Sequence, residues 1–147
     1  MKLNVITLAV QDLERALAFY RDGLGFATKG IVAADVQDLV SGAHGAIALF
    51  ELEGGLLLAI YPRADMAKDA KVLDPGPNSV EFSLGHLVRS RAEVDALLRA
   101  AEKAGARITE PPRERPWGIY SGYFSDPDGH LWEIIWNPAM PNARAFI

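Results

Sequence analysis

The sequence predicts an α+β fold built from two β-α-β-β-β modules, and three observations support this prediction. The order of strand and helix patterns in residues 3–61 recurs in residues 80–136. Each copy contains one segment of helical periodicity, and its other segments have the alternating, β-branched or aromatic character of strands. A repeated order of elements is stronger evidence for an architecture than a single short motif.

The first module begins with a β-rich run at residues 3–10, which leads into a helix. Asp12 is placed to cap this helix, and Gly23 or Gly25 to end it. Its apolar face comprises Leu13, Ala16, Leu17, Tyr20 and Leu24. Residues 28–44 give no clear pattern, whereas 46–53 and 56–61, separated by two glycines, are typical of a hairpin.

The second module repeats this order. Residues 80–88 have the composition of a strand, and Ser90-Arg-Ala-Glu93 is a capping box that opens a helix ending at Gly105. The apolar face of this helix comprises Val94, Leu97, Leu98 and Ala101. We predict a short strand at 107–109 and a Pro- and Arg-rich loop at 110–116.

The module closes with a hairpin over residues 120–136. An Asp-Pro-Asp-Gly segment forms its turn, in which Asp128-Gly129 is expected to supply the positive φ angles of a tight hairpin. The flanking Tyr, Phe, Trp and Ile residues suit strands. This hairpin is the most informative stretch of the chain, because it carries an acid between apolar residues.

The repeat also sets the predicted domain organisation. Module one covers about residues 1–62, a polar linker 63–79, module two about 80–138 and a C-terminal tail 139–147. The linker is expected to contain one or two helical turns around 64–71. One helix covers one face of each sheet, so pairing the uncovered concave faces would form a cleft between curved mixed sheets. Such a cleft is a natural place for a small ligand.

Composition narrows the range of functions. The 147 residues include no cysteine, which excludes thiol catalysis, thiolate metal sites and disulfides. A net charge of −4 gives no reason to expect nucleic acid as a partner. No apolar run approaches the ~18 residues of a membrane span, and the N-terminal pattern is that of a strand rather than a signal peptide. A cytoplasmic protein is therefore expected.

Glu133 is the first candidate for a functional role. It lies between Trp132 and Ile134 in an apolar strand. Because an unpaired buried charge is costly, its carboxylate must face water or an interior partner. It could act as a general base, or it could be a structural acid bonded to a tyrosine or to the Ser121 hydroxyl. Both alternatives remain open at this point.

The C-terminal third is dense in aromatic residues, which either form a stacking wall for a ligand or pack in the core. We assign Trp132 and Trp136 to the core, against the helix. Trp117 lies in a loop that enters a strand, where an exposed aromatic side chain often contacts ligand. Arg113 and Arg115 could hold an anionic substrate, but the prolines around them favour a stiff, solvated loop.

Two segments resemble the vicinal oxygen chelate superfamily, which includes glyoxalase I, bleomycin-resistance proteins and extradiol dioxygenases. The run from Asn4 to Tyr20, followed by Gly23-Leu-Gly-Phe26, resembles the opening of these domains. Phe124-Ser-Asp-Pro-Asp-Gly-His-Leu-Trp-Glu133 resembles their closing hairpin. The resemblance covers nearly the whole chain and implies paired modules, usually a divalent metal in the cleft, and often a homodimer. It does not specify one activity.

The resemblance implies metal ligands, mainly His and Glu, on the first and last strands of each module. In module one, Val5 occupies the position of the first-strand His. The counterpart of the acid is Leu57 or Ala59, and neither can coordinate a metal. Both ligands of this module are therefore missing.

Module two retains part of the implied ligand set. Glu133 matches the acid position, whereas Ser83 occupies the first-strand position. His86 would reach the cleft only if a bulge at Gly85 reversed its direction, because side chains alternate along a strand. A catalytic metal usually has three protein ligands, and Glu81 is the remaining candidate nearby.

We therefore expect a glyoxalase/bleomycin-resistance-like protein that binds a small organic molecule in the inter-module cleft, with no cofactor and no standard metal site. Glu133 is the expected polar anchor and catalytic candidate, with Trp117, Tyr120 and Tyr61 as walls. One alternative is a metal-dependent enzyme, lactoylglutathione-lyase-like or dioxygenase-like, that uses Glu133 and His86. A second is a ligand-free dimerisation or regulatory module. A homodimer is expected, with modules that pair within or between chains.

Overall fold

The computed structural model of this chain describes residues 3–74, 76–77 and 82–139. The chain divides into two compact units, Met1–Asn78 and Ser79–Ile147. Each unit contains one four-stranded mixed sheet and follows the order β-α-β-β-β. The predicted α+β class and the order of elements within each module are therefore confirmed. In the described part of the chain, no helix combines the length and apolar character needed to cross a membrane.

The first unit has strand order β1-β4-β3-β2, in which β1 runs parallel to β4 and the other pairs are antiparallel. Its strands are β1 (Val5–Val10), β2 (Thr28–Val32), β3 (Ile47–Glu51) and β4 (Leu57–Pro62). Helix α1 (Leu13–Leu17) continues as a π-helical segment, Ala18–Gly23. Asp12 caps α1 as predicted, because its Oδ1 accepts a hydrogen bond from the Arg15 amide.

Helix α2 (Arg63–Ala70) directly follows β4. This helix confirms the predicted helical turns around residues 64–71. The core of the first unit lies between the sheet and the α1 segment, where Leu8, Phe50 and Ile60 are fully buried together with Tyr20. Val5 and Leu49, which alternate with these residues along their strands, remain exposed on the other face.

The second unit repeats the arrangement, with strand order β5-β8-β7-β6 and β5 parallel to β8. Its strands are β5 (Leu84–Leu87), β6 (Arg107–Glu114), β7 (Tyr120–Ser125) and β8 (Leu131–Trp136). Helix α3 (Arg91–Ala104) begins and ends as predicted. The Ser90 Oγ accepts from the Glu93 amide at 3.1 Å, and Gly105 ends the helix with a φ of 111°.

One face of the second sheet packs against α3. The helix buries Val94, Leu98 and Ala101, and the sheet buries Phe124, Trp132 and Ile134. Trp132 stacks on Phe124, with a centroid separation of 6.1 Å. Arg91 of α3 lies 5.0 Å from the Trp136 ring centroid. The prediction that both tryptophans belong to the core is confirmed for Trp132, whereas Trp136 lies on the helix side but is half-buried.

Two predicted boundaries are wrong. Strand β5 begins at Leu84 rather than at residue 80; residues 80–81 lie outside the described part, and 82–83 are not in a strand. Strand β6 continues through the predicted loop at 110–114. Proline is tolerated on an edge strand and at a bulge, and β6 is the edge of its sheet. Its register with β7 shifts between Glu110 and Arg113, at the two prolines.

The loop that joins β7 to β8 also differs from the predicted tight turn. Gly129 has a φ of 90°, whereas Asp128 does not have a positive φ. The Asp126 amide donates to the His130 carbonyl at 2.9 Å, so the loop is longer than two residues. The buried Asp126 carboxylate stabilises it, because its Oδ1 accepts from the amides of Asp128 and His130.

Candidate functional site

Strand alternation places a second set of residues on the face of the second sheet that is turned away from α3. Phe124, Trp132 and Ile134 point to the helix, so Tyr123 and Glu133 point to the other side. Tyr123 and Glu133 are cross-strand partners between β7 and β8, and such partners share a face. We call this side the open face.

A cavity of about 470 Å³ lies on the open face. It is lined by Gly85, Leu87, Arg115, Pro116, Ile119, Glu133, Ile135 and Asn137. Its walls are mainly apolar, with one carboxylate, one guanidinium and one amide among them. This combination of an apolar pocket and a few convergent polar groups is characteristic of small-molecule sites, which span roughly 300–1,000 Å³.

The Glu133 carboxylate is held by a donor from the neighbouring strand. Its Oε1 accepts a hydrogen bond from the Ser121 hydroxyl at 2.8 Å, and Ser121 is completely buried. Burial, and then the neighbouring Glu133, raise the pKa of the Tyr123 hydroxyl, so the phenol keeps its proton. Of the two structural partners considered for Glu133, Ser121 is hydrogen-bonded to it, and the tyrosine Tyr123 is its cross-strand neighbour. The carboxylate nevertheless borders the cavity.

Arg115 is connected to Glu133 through Ser121. Its Nε donates to the Ser121 Oγ at 2.5 Å, and its Nη2 lies 3.5 Å from the Ser121 carbonyl oxygen. A guanidinium can only donate, so the Ser121 oxygen must accept this bond and direct its own hydrogen to Glu133. The three residues thus form a hydrogen-bond chain with one direction, from Arg115 through Ser121 to Glu133.

The position of Arg115 differs from the solvated loop that its sequence context predicts. Its side chain is half-buried, and its Cζ lies 5.4 Å from the Tyr123 ring centroid, within the range of a cation–π contact. Its amide donates to the Ile119 carbonyl at 2.7 Å, which closes the Pro116–Gly118 turn. Arg113 is exposed and lies 3.4 Å from Glu110, as expected for a solvated residue.

Tyr120 does not join Glu133 on the open face. Its hydroxyl donates to Asp95 of α3 at 2.7 Å, and this bond raises the pKa of Tyr120. Arg91 lies 5.3 Å from its ring centroid. The expectation that Tyr120 forms a wall beside Glu133 is not met, because it lies on the helix side of the sheet.

Tyr61 and Trp117 are the other two residues that were expected to form walls of the ligand site. Tyr61 lies in β4 of the first unit, and its hydroxyl donates to the His44 carbonyl at 2.5 Å. Burial, and then the nearby Asp65, raise the pKa of Tyr61. The backbone of Trp117 lies in the Pro116–Gly118 turn, next to the cavity-lining Pro116. Its side chain is outside the described part of the structure.

The bulge that would bring His86 to Glu133 is absent from β5. The register with β8 is uninterrupted, pairing Gly85 with Glu133 and His86 with Ile134. His86 is exposed and lies on the Ile134 side of the sheet, opposite to Glu133. The hypothesis that Glu133 and His86 are ligands of one metal ion is therefore wrong, because the two side chains lie on opposite faces of the sheet.

The first unit supplies no ligand at the equivalent positions. Aligning Val10 with Val88 makes Thr7 the counterpart of Gly85. Thr7 pairs with Ala59, and Gly85 pairs with Glu133, so Ala59 is the counterpart of Glu133. Glu81 is outside the described residues. Within residues 3–74, 76–77 and 82–139, no group of three or more His, Asp or Glu side chains could hold a metal ion. The described residues do not fit the three-ligand site that the superfamily resemblance implies.

A second cavity, of about 400 Å³, lies in the first unit. Its lining includes Lys29, Leu49, Glu51 and Leu57. Lys29 and Glu51 are both exposed, and an exposed charge is less constrained in direction than the hydrogen-bonded Glu133. The cavity of the second unit is therefore the better candidate for a specific site.

Comparison with known proteins agrees with this fold. The model of the Glyoxalase/Bleomycin resistance protein/Dioxygenase superfamily matches residues 2–134. A glyoxalase-related enzyme from Fulvimarina pelagi is 30% identical, with a TM-score of 0.77 over 94% of this chain and 89% of that protein. The chain belongs to the Glyoxalase/Bleomycin resistance protein/Dioxygenase superfamily.

More distant structures share the fold alone. A lactoylglutathione lyase from Agrobacterium tumefaciens is 23% identical, with a TM-score of 0.63 over 95% of this chain and 96% of that protein. A fosfomycin resistance protein from Listeria monocytogenes is 22% identical, with a TM-score of 0.65 over 93% of each chain. Their different names illustrate that this fold supports more than one function.

Proposed function

We propose that this protein binds a small organic molecule in the cavity on the open face of its second sheet, and that Glu133 is the polar anchor. In this proposal binding needs no metal of the His- and Glu-ligated type. Trp117 is the proposed contact at the rim, since its backbone turn borders the cavity at Pro116. Membership of the superfamily supports a homodimeric assembly as part of the same proposal.

The observation that supports the proposal is the position of one hydrogen-bonded carboxylate in an apolar cavity. Ser121 fixes the direction of the Glu133 carboxylate without covering it, because Glu133 is itself a lining residue. A carboxylate offers about four acceptor sites. It can therefore accept a further hydrogen bond from a hydroxyl or amino group of a ligand.

Glu133 is also the proposed catalytic residue if the protein is an enzyme. A general base must lie within hydrogen-bond reach of the proton that it removes, and the cavity brings a ligand within reach of Glu133. Ser121 is completely buried, so its hydroxyl serves Glu133 and is not accessible as a nucleophile. The metal-dependent lyase or dioxygenase alternative requires a ligand set that the described residues do not supply.

Thermal shift with a library of small organic compounds, on protein treated with a chelator, tests this proposal. Ligand at about 100 times its Kd stabilises the folded state by about 2.7 kcal/mol, so a compound that binds raises the Tm. The test variant is Gly85→Leu. A Cβ at Gly85 would meet only the Ile135 Cδ1 at 3.5 Å, an ordinary contact, so a leucine there extends into the cavity beside Glu133.

We expect the Tm increase in the wild type and in the control Gly85→Ala, and its loss in Gly85→Leu. Equal increases in all three proteins would place the ligand elsewhere and contradict the proposal. A library that stabilises none of them would contradict it as well.

A further inference from the structure

Building on the proposed function, we infer that the ligand is a small carboxylic acid with a hydroxyl or amino group close to the acid, and that Arg115 binds its carboxylate. The inference assigns a binding role to Arg115 and a chemical class to the ligand. It follows from the separation, the orientation and the charge of the two ionised groups in the cavity.

Arg115 has hydrogen-bonding capacity left for a ligand. A guanidinium carries five N–H donors, and in the described part of the chain its only hydrogen-bond partner is Ser121, through Nε and a long contact from Nη2. Arg115 lines the cavity, so its remaining N–H donors are available to a ligand there. Paired N–H groups of arginine match the two oxygens of a carboxylate, and such charged hydrogen bonds are about twice as strong as neutral ones.

Arg115 is also held in place before a ligand arrives. The Tyr123 ring lies under the guanidinium at 5.4 Å, and the Ser121 hydroxyl fixes its Nε. Its backbone is fixed by the bond to Ile119 across the Pro116–Gly118 turn. Ordering a flexible side chain at a binding site costs free energy, and a preorganised arginine largely avoids this cost.

The spacing of Arg115 and Glu133 determines the ligand class. Arg115 Nε and Glu133 Oε1 both lie within 2.8 Å of the same Ser121 oxygen. A single small molecule can therefore contact both, provided that its acidic group and its hydrogen-bond donor are only a few bonds apart. A 2-hydroxy or 2-amino acid has this arrangement.

The other lining residues determine the polarity and size of the remaining part of the ligand. Leu87, Ile119 and Ile135 form apolar walls, which suit a short branched hydrocarbon group. A purely apolar ligand would instead displace the water that is hydrogen-bonded to Arg115 and Glu133 and would offer no hydrogen bonds in its place. Leaving these charged groups unsatisfied is costly. A cationic ligand would meet the positive charge of Arg115 directly.

Four probes test the inference: three that share a 4-methylpentane skeleton, and the cation 3-methylbutylamine. 2-Hydroxy-4-methylpentanoate carries both groups, 4-methylpentanoate lacks the hydroxyl, and 4-methylpentane-1,2-diol lacks the carboxylate. In calorimetric titrations of the wild type, we expect the hydroxy acid to bind at least about tenfold more tightly than the diol, since hydrogen bonds to a charged group are stronger than those between neutral groups. We expect the acid without the hydroxyl to bind less tightly than the hydroxy acid.

Substitutions of Arg115 then test whether this residue binds the carboxylate of the ligand. Arg115→Gln should weaken binding of the hydroxy acid at least about tenfold and binding of the diol by a smaller factor, and Arg115→Lys should restore part of the loss. Arg113→Gln is the matched control, because Arg113 is exposed and pairs with Glu110 outside the cavity lining. Melting curves verify that each variant is folded.

The outcomes separate this inference from the proposed function. If the diol or the cation 3-methylbutylamine binds as tightly as the hydroxy acid, the inference is wrong and the proposed cavity remains. Equal effects of Arg115→Gln and Arg113→Gln would also overturn it. If none of the probes binds, the inference is overturned, and the compound library decides whether the proposed function survives.

Discussion

Gly122→Ala is expected to destabilise the protein by about 1–3 kcal/mol or more, the range typical of overpacking. A Cβ at Gly122 would lie 2.6 Å from the Leu98 Cδ1, 2.9 Å from the Pro112 nitrogen and 3.0 Å from the Glu110 carbonyl oxygen. The last two atoms belong to the backbone of β6 and cannot rotate away. The substitution must therefore displace either α3 or the irregular part of β6. Urea denaturation of both proteins measures the difference.

Gly85→Ala is the matched control for this substitution. Gly85 also lies in the second sheet, but its added Cβ would have one contact at an ordinary 3.5 Å. Replacing a strand glycine without a clash stabilises by about 0.5–1 kcal/mol through the entropy of the unfolded chain. Similar unfolding free energies for Gly122→Ala and Gly85→Ala would show that β6 does not approach Gly122 as described.

Glu133→Gln is expected to weaken ligand binding at least about tenfold, since a charged hydrogen bond is replaced by a neutral one. Glutamine keeps the shape of the side chain, and its amide oxygen can still accept from Ser121. The fold should therefore be retained while affinity falls. Calorimetric titration with a compound that raises the wild-type Tm measures the change.

Glu110→Gln controls for the general loss of one negative charge. Glu110 lies on β6 beside Arg113 and does not line the cavity. Its substitution should leave ligand affinity within about twofold of the wild type, as expected for a surface charge. Equal affinities for wild type and Glu133→Gln would remove Glu133 as the anchor.

The elements that sequence predicts well are those with local causes. Asp12 and Ser90 cap helices through hydrogen bonds to amides three residues away, and Gly105 ends a helix through its own positive φ. The full length of β6 has a non-local cause. Its prolines indicate a loop, but they occupy an irregular edge strand where Gly122 of the neighbouring strand leaves space for the backbone.

The composition of the site depends on the register of one hairpin. A two-residue turn centred on Asp128-Gly129 would pair Glu133 with Phe124 and put Tyr120 on the same face as Glu133. The observed longer loop pairs Glu133 with Tyr123. A shift of one residue moves side chains to the other face of a sheet. In the observed register Ser121 and Tyr123 are therefore beside Glu133. Tyr120 lies on the opposite face and contacts α3.

Arg115 could not be assigned to the site from sequence, because its contact with Ser121 requires the turn at residues 116–118 to fold back on β7. The loss of the first-module ligand types, by contrast, is predicted from sequence, with Val5 at one position and Leu57 or Ala59 at the other. Whether His86 could stand in for Ser83 in module two depends on a bulge at Gly85, and the strand register decides this question.

Methyl NMR with isoleucine labelled at Cδ1 tests the central claim most directly. Ile119 and Ile135 line the cavity, whereas Ile134 is buried on the helix side of the same strand. Addition of a stabilising compound should shift the Ile119 and Ile135 methyl signals and leave the Ile134 signal nearly unchanged. Unchanged Ile119 and Ile135 signals at saturating ligand would show that the cavity beside Glu133 is not the binding site.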